Sequence, residues 1–475
     1  MIEMSTRALR SIANLAAGGV VLARSSSTVS KLRRPEAVPE ALDIHFGAAG
    51  PAVTAADLEV PTLTDTRVAF TWTTYASEVR TPYGPARPTA AVGETVLLGP
   101  VDGPMQVVHH DDTPRGVHHV IIDGLEPGRE YRFECWSGAL RAAPSLVATR
   151  RVDSPELTGR FRTQTTPQGR FIGTVAITND THIGKPFHSP GLREPDGQRP
   201  FAQMQLEELI ADVKKRDIDA IVVNGDCTDG NTPEQVETFR RIMNGAGQLN
   251  KDWFAVRGNH DNFLPGHPPP KRRREVDVPD NYGAHFTPRQ QHWSAQFKGL
   301  RMLGIDTATV RHNGGYISRA QMDAIRTEVH SDPDRPTIVF GHHPMTTCAA
   351  SSNLGGAEFI VPKEESLELQ RILADAPGVM SMFAGHTHRS RRGRADIGGV
   401  DYCERAASLG YPGGYSLVDV YEGGYMVSFH RTPGRESVDW SAQTRWSLWG
   451  IEAEYMLGAL GDRNYVVTQD LSGLG

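Results

Sequence analysis

Hydrophobic and polar residues follow two different rhythms along this chain. Before about residue 165 the apolar positions come singly: Val68, Phe70 and Trp72 interleave with Arg67, Ala69, Thr71 and Thr73. A period of two turns one side-chain face to a core and the other to water, so 67–73 reads as a half-buried strand. Apolar triplets at 96–98 and 120–122 follow, with turn residues between them. At 124–133 a Gly-Leu-Glu-Pro-Gly turn feeds a strand that opens with Tyr131, the pattern of a tyrosine corner, and 161–163 would close the region. An all-β sandwich is expected over 41–166.

After Gly169 the apolar residues bunch into short runs at 171–177, 220–223, 253–256, 302–305, 337–340 and 379–383. Such runs suit strands covered on both faces. Between them lie helical patterns: 200–215, with Leu206, Leu209, Ile210 and Val213 on one face, then 318–329 and 366–373. Ser318 and Gln321 read as a capping box for the second of these. Residues 417–429 read as late hairpin strands. Alternating buried strands and helices predict a layered α/β domain over 167–435. Residues 1–40 and 436–475 are left as N- and C-terminal extensions.

Length and composition narrow the class. At 475 residues the chain has room for two or three domains, and its 22% charged and 39% hydrophobic residues are those of a folded protein. The 50 basic against 56 acidic side chains argue against a nucleic-acid partner, which calls for a basic footprint. No apolar run reaches the ~18 residues that span a bilayer, so no transmembrane segment is expected. Arg7 and Arg10 precede an apolar stretch at 12–23 that resembles an export signal, but Asn14, Gly18 and Gly19 interrupt it. A cytoplasmic location is therefore expected, with secretion as the alternative. Cys135, Cys227, Cys348 and Cys403 show no CxxC spacing and are expected as free thiols. Nothing in the sequence fixes an oligomeric state.

The chemistry sits where strands end. Five of the apolar runs lead into Asn179-Asp180-Thr181-His182, Gly225-Asp226-Cys227-Thr228-Asp229, Gly258-Asn259-His260-Asp261, Gly341-His342-His343-Pro344 and Gly385-His386-Thr387-His388. The carboxyl ends of strands gather loops from several strands around one crevice. Glycine before four of these groups lets the backbone bring side chains close. Carboxylate and amide oxygens with imidazole nitrogens, and no thiolate, suit Fe, Mn or Zn. A carboxylate shared by two ions would hold them ~3.5–4 Å apart, the spacing of a two-metal clamp on phosphorus.

In this order the five motifs resemble the calcineurin-like metallophosphoesterase family, over roughly 170–430. With the preceding β region, which resembles a fibronectin type III-like domain, the chain looks purple-acid-phosphatase-like. The resemblance implies an α/β catalytic domain, a four-layer β-sandwich flanked by helices, that uses two divalent or trivalent cations per chain. It implies one cation on Asp180, His182, Asp226 and His388, and a second on Asp226, Asn259, His342 and His386, with Asp226 bridging. His260 would stand outside the ligands, donating to a phosphoryl oxygen or protonating the leaving group, while a metal-bound hydroxide attacks phosphorus. Catalytic roles thus fall to His260, Asp226 and Asn259, and substrate contacts to His260, Asn259 and Arg389. The His-x-Pro spacing selects His342 over His343.

The substrate implied is a small anionic phosphorylated molecule. Phosphomonoesters come first, because a sandwich ahead of the catalytic domain resembles acid phosphatases. Phosphodiesters of nucleotide or glycerol type are the alternative, because Gly-Asn-His-Asp and His-His-Pro also resemble cyclic-nucleotide and glycerophosphodiester hydrolases. A non-catalytic scaffold is a third reading, yet relatives of that kind lose ligands or the outer histidine, and all are present here. Two basic runs, Lys271 to Arg274 and Arg389, Arg391, Arg392 and Arg394, are candidates to attract anionic substrate. His109, His110, His118 and His119 are expected at the surface of the β region, and Trp440, Trp446 and Trp449 as core or domain-interface anchors rather than substrate-stacking groups.

One departure carries a prediction. Purple acid phosphatases place a tyrosine three residues after the bridging aspartate, and its charge transfer to Fe(III) gives the colour. That position is Asp229 here. An iron-loaded form is expected to be colourless or weakly coloured, and an intense visible band would contradict this.

Overall fold

The alternation around Trp72 becomes a real strand pair. In the computed structural model, which describes residues 53–76, 88, 90, 93–144, 153–186, 199–216, 218–263, 279–310, 312–447 and 452–474, contacts divide the chain into two units. The first comprises the chain to Gln164 with Ala442–Glu454. Its strands are β1 (Val53–Glu59), β2 (Val68–Ala76), β3 (Glu94–Pro100), β4 (Gln106–Asp111), β5 (Val117–Ile122), β6 (Glu130–Ser137), β7 (Leu140–Arg141) and β8 (Arg160–Arg162), with a short helix, α1 (Pro155–Thr158), before β8. They form two antiparallel sheets, β1-β2-β5 and β4-β3-β6-β7, with β8 paired to β6. Phe70, Phe133 and Phe161 meet in the core. The Glu126 N–H donates to the Tyr131 hydroxyl at 3.0 Å, which closes the corner read from the sequence. Arg445 pairs with Glu59 at 3.0 Å and Asp57 at 3.2 Å, tying the 442–454 segment to β1.

His118 corrects the expectation of a surface histidine. It is fully buried, because the inward face of β5 places it flat against Trp72 at 4.7 Å. A chain of hydrogen bonds satisfies it: the Trp72 indole donates to Ser137 Oγ, Ser137 bonds His118 Nε2 at 3.1 Å, and His118 Nδ1 bonds Glu94 at 2.9 Å. Glu94 also takes His109 and Arg115.

The second unit comprises Thr165–His188, Arg193–Ser441 and residues 455–474. Its elements run β9 (Phe171–Thr178), α2 (Phe201–Lys215), β10 (Ala220–Asn224), α3 (Pro233–Met243), β11 (Trp253–Val256), β12 (Trp293–Phe297), β13 (Leu300–Ile305), α4 (Arg319–Ser331), β14 (Thr337–Gly341), α5 (Thr347–Ser352), α6 (Lys363–Ala374), β15 (Val379–Ala384), β16 (Arg391–Gly393), β17 (Asp401–Glu404), β18 (Gly414–Tyr421), β19 (Gly424–Arg431) and, near the C-terminus, β20 (Tyr465–Thr468). Two six-stranded sheets result, β11-β10-β9-β18-β19-β20 and β12-β13-β14-β15-β17-β16. They face one another through Val175, Ile177, Val222 and Val256 on one side and Met302, Ile338, Phe340 and Phe383 on the other. The opposite face of the first sheet packs Ile221 and Val223 against Leu206, Leu209 and Val213 of α2. The outer face of the second packs Leu303 and Val339 against Ile325 of α4 and Leu369 of α6. The result is the expected four layers, helix, sheet, sheet, helix.

The parallel pairing of β9 with β10 and β10 with β11, and of β13, β14 and β15, brings the carboxyl ends of these strands to common rims. The capping box of α4 forms only in part. Ser318 Oγ accepts from Gln321 N, but the Gln321 amide bonds the Asp306 backbone instead of reaching back to its own cap. The signal-like residues of the N-terminus, Lys271 to Arg274 and Trp449 lie outside the described residues. All four cysteines carry free thiols, and no described helix is long and apolar enough to cross a membrane.

The three partners hold the Glu94 carboxyl at about 2, against its usual 4.5, despite burial that would raise it. With the folded value below the unfolded one, its stabilisation is complete above pH 4.5 and lost as pH falls through about 2. Glu94→Gln is expected to lower stability by about 2 kcal/mol at pH 7 and to approach wild type near pH 2, as read by urea unfolding at both.

Candidate metal centre

Two loops run side by side above β9 and β10. The Asp180 N–H donates to Gly225 O at 2.9 Å, His182 N to Asp226 O at 2.9 Å and Ile183 N to Cys227 O at 3.1 Å, which continues the parallel pairing past the strand ends. This places Asp180 and Asp226 next to each other. Their neighbours arrive from the other loops: the His260 N–H donates to Asp226 Oδ1 at 2.8 Å, and the His386 N–H to Asp180 Oδ2 at 3.1 Å. Close approach explains two motif glycines. A Cβ at Gly225 would lie 2.2 Å from the His342 ring, and one at Gly258 would lie 2.1 Å from the Asp226 nitrogen. Asp180, His182, Asp226, His386 and His388 all have positive φ, half of the ten non-glycine residues so placed among those described. Such backbone is held only where the surroundings enforce it, and it concentrates at functional sites.

The side chains converge as the sequence order implied. Asp180 Oδ1 lies 3.3 Å from His388 Nε2 and 3.9 Å from His182 Nε2, and the two imidazole nitrogens are 3.4 Å apart. Asp226 Oδ2 lies between the halves, 3.5 Å from His182 Nε2 and 3.3 Å from His342 Nε2. Asn259 Oδ1 is 3.2 Å from His342 Nε2. The His386 ring stands 5.1 Å from that of His342, its Nε2 buried and without a hydrogen-bond partner. Asp180, His182 and His388 form one potential ligand group and Asp226, His342 and His386 another. Donors around a shared ion with bonds of ~2.0–2.2 Å sit roughly 3–3.5 Å apart, so these separations match or slightly exceed that.

The electrostatics fit a pair of cations. Asp180 and Asp226 are buried to 0% and 1% exposure. Among the described residues neither has an Arg or Lys within ion-pair distance; their basic partners at that distance are imidazoles. Burial would push the His342 imidazole down, yet the Asp226 and Asp180 carboxylates lift it to about 9. Burial would raise the Asp226 carboxyl, yet His342, His260 and His182 hold it well below the usual range. The pocket calls for positive charge, and orphaned His386 Nε2 faces it as a ready ligand.

Outer contacts orient the rings. Asn224 O accepts from His342 Nδ1 at 3.0 Å, leaving Nε2 with a lone pair for an ion. His182 Nδ1 bonds Asp229 Oδ1 at 3.1 Å to the same effect. His260 lies on the rim with its Nδ1 donating to the Asp229 carbonyl at 2.9 Å, so Nε2 is the nitrogen left to exchange a proton with a ligand. Asp229 therefore serves both histidines, with Lys185 Nζ 3.7 Å from its carboxylate. Asp261 accepts from the N–H groups of Gly258, Cys227 and Thr228 and binds the loops of Asp226 and Asn259 together. His343 turns instead to Thr307 Oγ at 2.9 Å. Phe263 packs on the edge of His260 and Phe359 on His386, giving the centre two aromatic neighbours.

Arg389 is corrected: it does not reach for substrate. Its guanidinium is buried in a two-pronged pair with Glu404, at 2.8 Å from Nε and 2.7 Å from Nη2. Arg392 likewise pairs with Asp401 at 2.7 Å, so two members of that basic run are already neutralised. Trp440 is a core residue stacked on Phe201. Glu404 is the residue the sequence reading missed, since its only signal is its place at the end of a strand that pairs with β15.

The calcineurin-like phosphoesterase family model matches residues 173–390, the segment that carries all seven candidate metal ligands. The glycerophosphodiester phosphodiesterase GpdQ of Enterobacter lignolyticus is 25% identical over 174 residues, 36% of this chain and 56% of its own. The 3',5'-cyclic adenosine monophosphate phosphodiesterase CpdA of Haemophilus influenzae is 27% identical over 222 residues, 46% of this chain and 70% of its own. The first of these relatives is thus spanned over little more than half its length. Among solved structures, the purple acid phosphatase PPD1 from yellow lupin seeds aligns over 80% of this chain and 72% of its own, at 16% identity and a TM-score of 0.41.

Single-ligand variants separate the two halves. Asp226→Ala is expected to lose both cations, while His388→Ala and His386→Ala each lose one, as counted by elemental analysis after dialysis. Two ions retained in Asp226→Ala would contradict a bridging role.

Proposed function

We propose that this protein hydrolyses phosphoric esters at a dinuclear centre held by Asp180, His182, Asp226, Asn259, His342, His386 and His388, and that diesters are its preferred substrates. The observation that carries the reading is the pair of fully buried carboxylates ringed by imidazole and amide donors, with no Arg or Lys among the described residues in ion-pair contact. When bound, the two cations would polarise a phosphoryl oxygen and supply the hydrolytic nucleophile. The chain's own groups do the rest. Asn259 and His342 present donors from one side, and Asp180 with His182 and His388 from the other. Partly exposed His260, anchored through Nδ1, presents Nε2 to the departing ester oxygen as a proton donor.

The preference for diesters rests on Asp229. Its carboxylate lies on the rim, 3.4 Å from the His260 ring and 22% exposed, and among the described residues Lys185 is the one Lys or Arg within ion-pair distance of it. A monoester dianion brings one more negative charge than a diester monoanion and is repelled more strongly. The similar proteins GpdQ and CpdA are both phosphodiesterases, which supports the same reading.

The test compares bis-nitrophenyl phosphate with nitrophenyl phosphate, using metal-loaded wild type, Asn259→Ala, His260→Gln and Asp229→Asn. Wild type should turn over the diester faster. Asn259→Ala should lose most turnover of both, and His260→Gln should lose about 10²–10⁴-fold in kcat while keeping its metals. Asp229→Asn should raise the monoester-to-diester ratio of kcat/KM by about tenfold, a ratio in which shared effects on metal binding cancel. An unchanged ratio would overturn the diester argument, and a metal-loaded wild type inert to both would overturn hydrolysis.

A further inference from the structure

The two histidines of the Gly-His-Thr-His loop both need support from outside the loop. His386 and His388 adopt φ of 66° and 55°, which an unrestrained chain rarely adopts at two such positions. Between them Thr387 Oγ donates to Glu404 Oε2 at 2.6 Å. Glu404 is the last residue of β17, aligned with Ala384 at the end of β15, so its carboxylate sits at the root of the loop. The same carboxylate takes Nε and Nη2 of Arg389, the residue immediately after His388. Arg389 is anchored in turn: Nη1 donates to Ser352 O at 2.7 Å, Nη2 to Ser352 Oγ at 3.1 Å, and the guanidinium lies 4.9 Å over the Tyr455 ring. Glu404 thus grips the loop at Thr387 and at Arg389, on either side of His388, and α5 fixes the pair against the fold.

We propose that Glu404, Arg389 and Thr387 are positioning residues for metal binding: together they hold the backbone in the conformation that aims His386 and His388 at the two cations. The inference rests on the reading of these histidines as ligands. An ordinary buried ion pair would stabilise the fold and leave metal affinity alone, and Thr387 separates the two cases because its hydroxyl joins the loop to the pair without belonging to either ion.

The experiment titrates Zn(II) into the metal-free full-length chain against a chromophoric chelator and follows thermal unfolding in parallel. Thr387→Val keeps the side-chain shape and removes the link, and the double variant Arg389→Met/Glu404→Leu removes both charges so that neither is left buried and unpaired. Each is expected to weaken zinc binding about 10–100-fold, the usual effect of losing an outer-shell partner, with Thr387→Val melting close to wild type. Wild-type zinc affinity in Thr387→Val would overturn the proposal, whether or not the double variant folds. Wild-type protein that takes up no zinc, manganese or iron would overturn the ligand reading itself, a result distinct from variants that bind as well as wild type.

Discussion

Asp180 and Asp226 lie side by side at the rim of one sheet, buried from water, and like charges so placed repel strongly in a poorly polarisable interior. Proteins usually neutralise such groups with arginine or lysine. Here the charged groups around them are imidazoles, whose lone pairs suit an ion better than they replace one. Much of the surrounding structure follows from that constraint: N–H donors on the carboxylates, ring nitrogens fixed by outer acceptors, and five residues held in left-handed backbone.

The fold makes this arrangement affordable. Parallel strands deliver the candidate ligands to common rims, and the extension of β9 and β10 pairing into the loops carries the register of the sheet into the site. Rigidity comes from behind. Asp261 ties the Asp226 and Asn259 loops together, Asp229 orients two histidines, and Glu404 with Arg389 secures the last loop. Asp261, Asp229 and Glu404 each accept from more than one donor, so each fixes the relative position of two or more segments.

Strands covered on both faces betray themselves as short apolar runs, which is why β9, β10, β11, β14 and β15 fall within a residue or so of their expected bounds. The candidate ligands are legible because each motif sits directly after such a run. Less was legible where a residue's partner is remote in sequence. Arg389 beside a histidine motif looks like an anion binder until Glu404, fifteen residues on, is brought beneath it by strand pairing. His118 looks like a surface residue until Glu94 and Ser137 arrive from two other strands to satisfy both ring nitrogens. Helix α3 was missed although Thr232 caps it and Pro233 opens it, because its buried residues, Val236, Phe239, Ile242 and Met243, are spread thinly among charged ones. The short strands β16 and β17 carry too little apolar pattern to be seen alone.

Anomalous diffraction from crystals of the manganese-loaded protein tests the central claim most directly. Two peaks ~3.5–4 Å apart are predicted, one on each side of the Asp226 carboxylate, with His388 on one and His386 on the other. A single peak, or two peaks that do not share Asp226, would contradict the account.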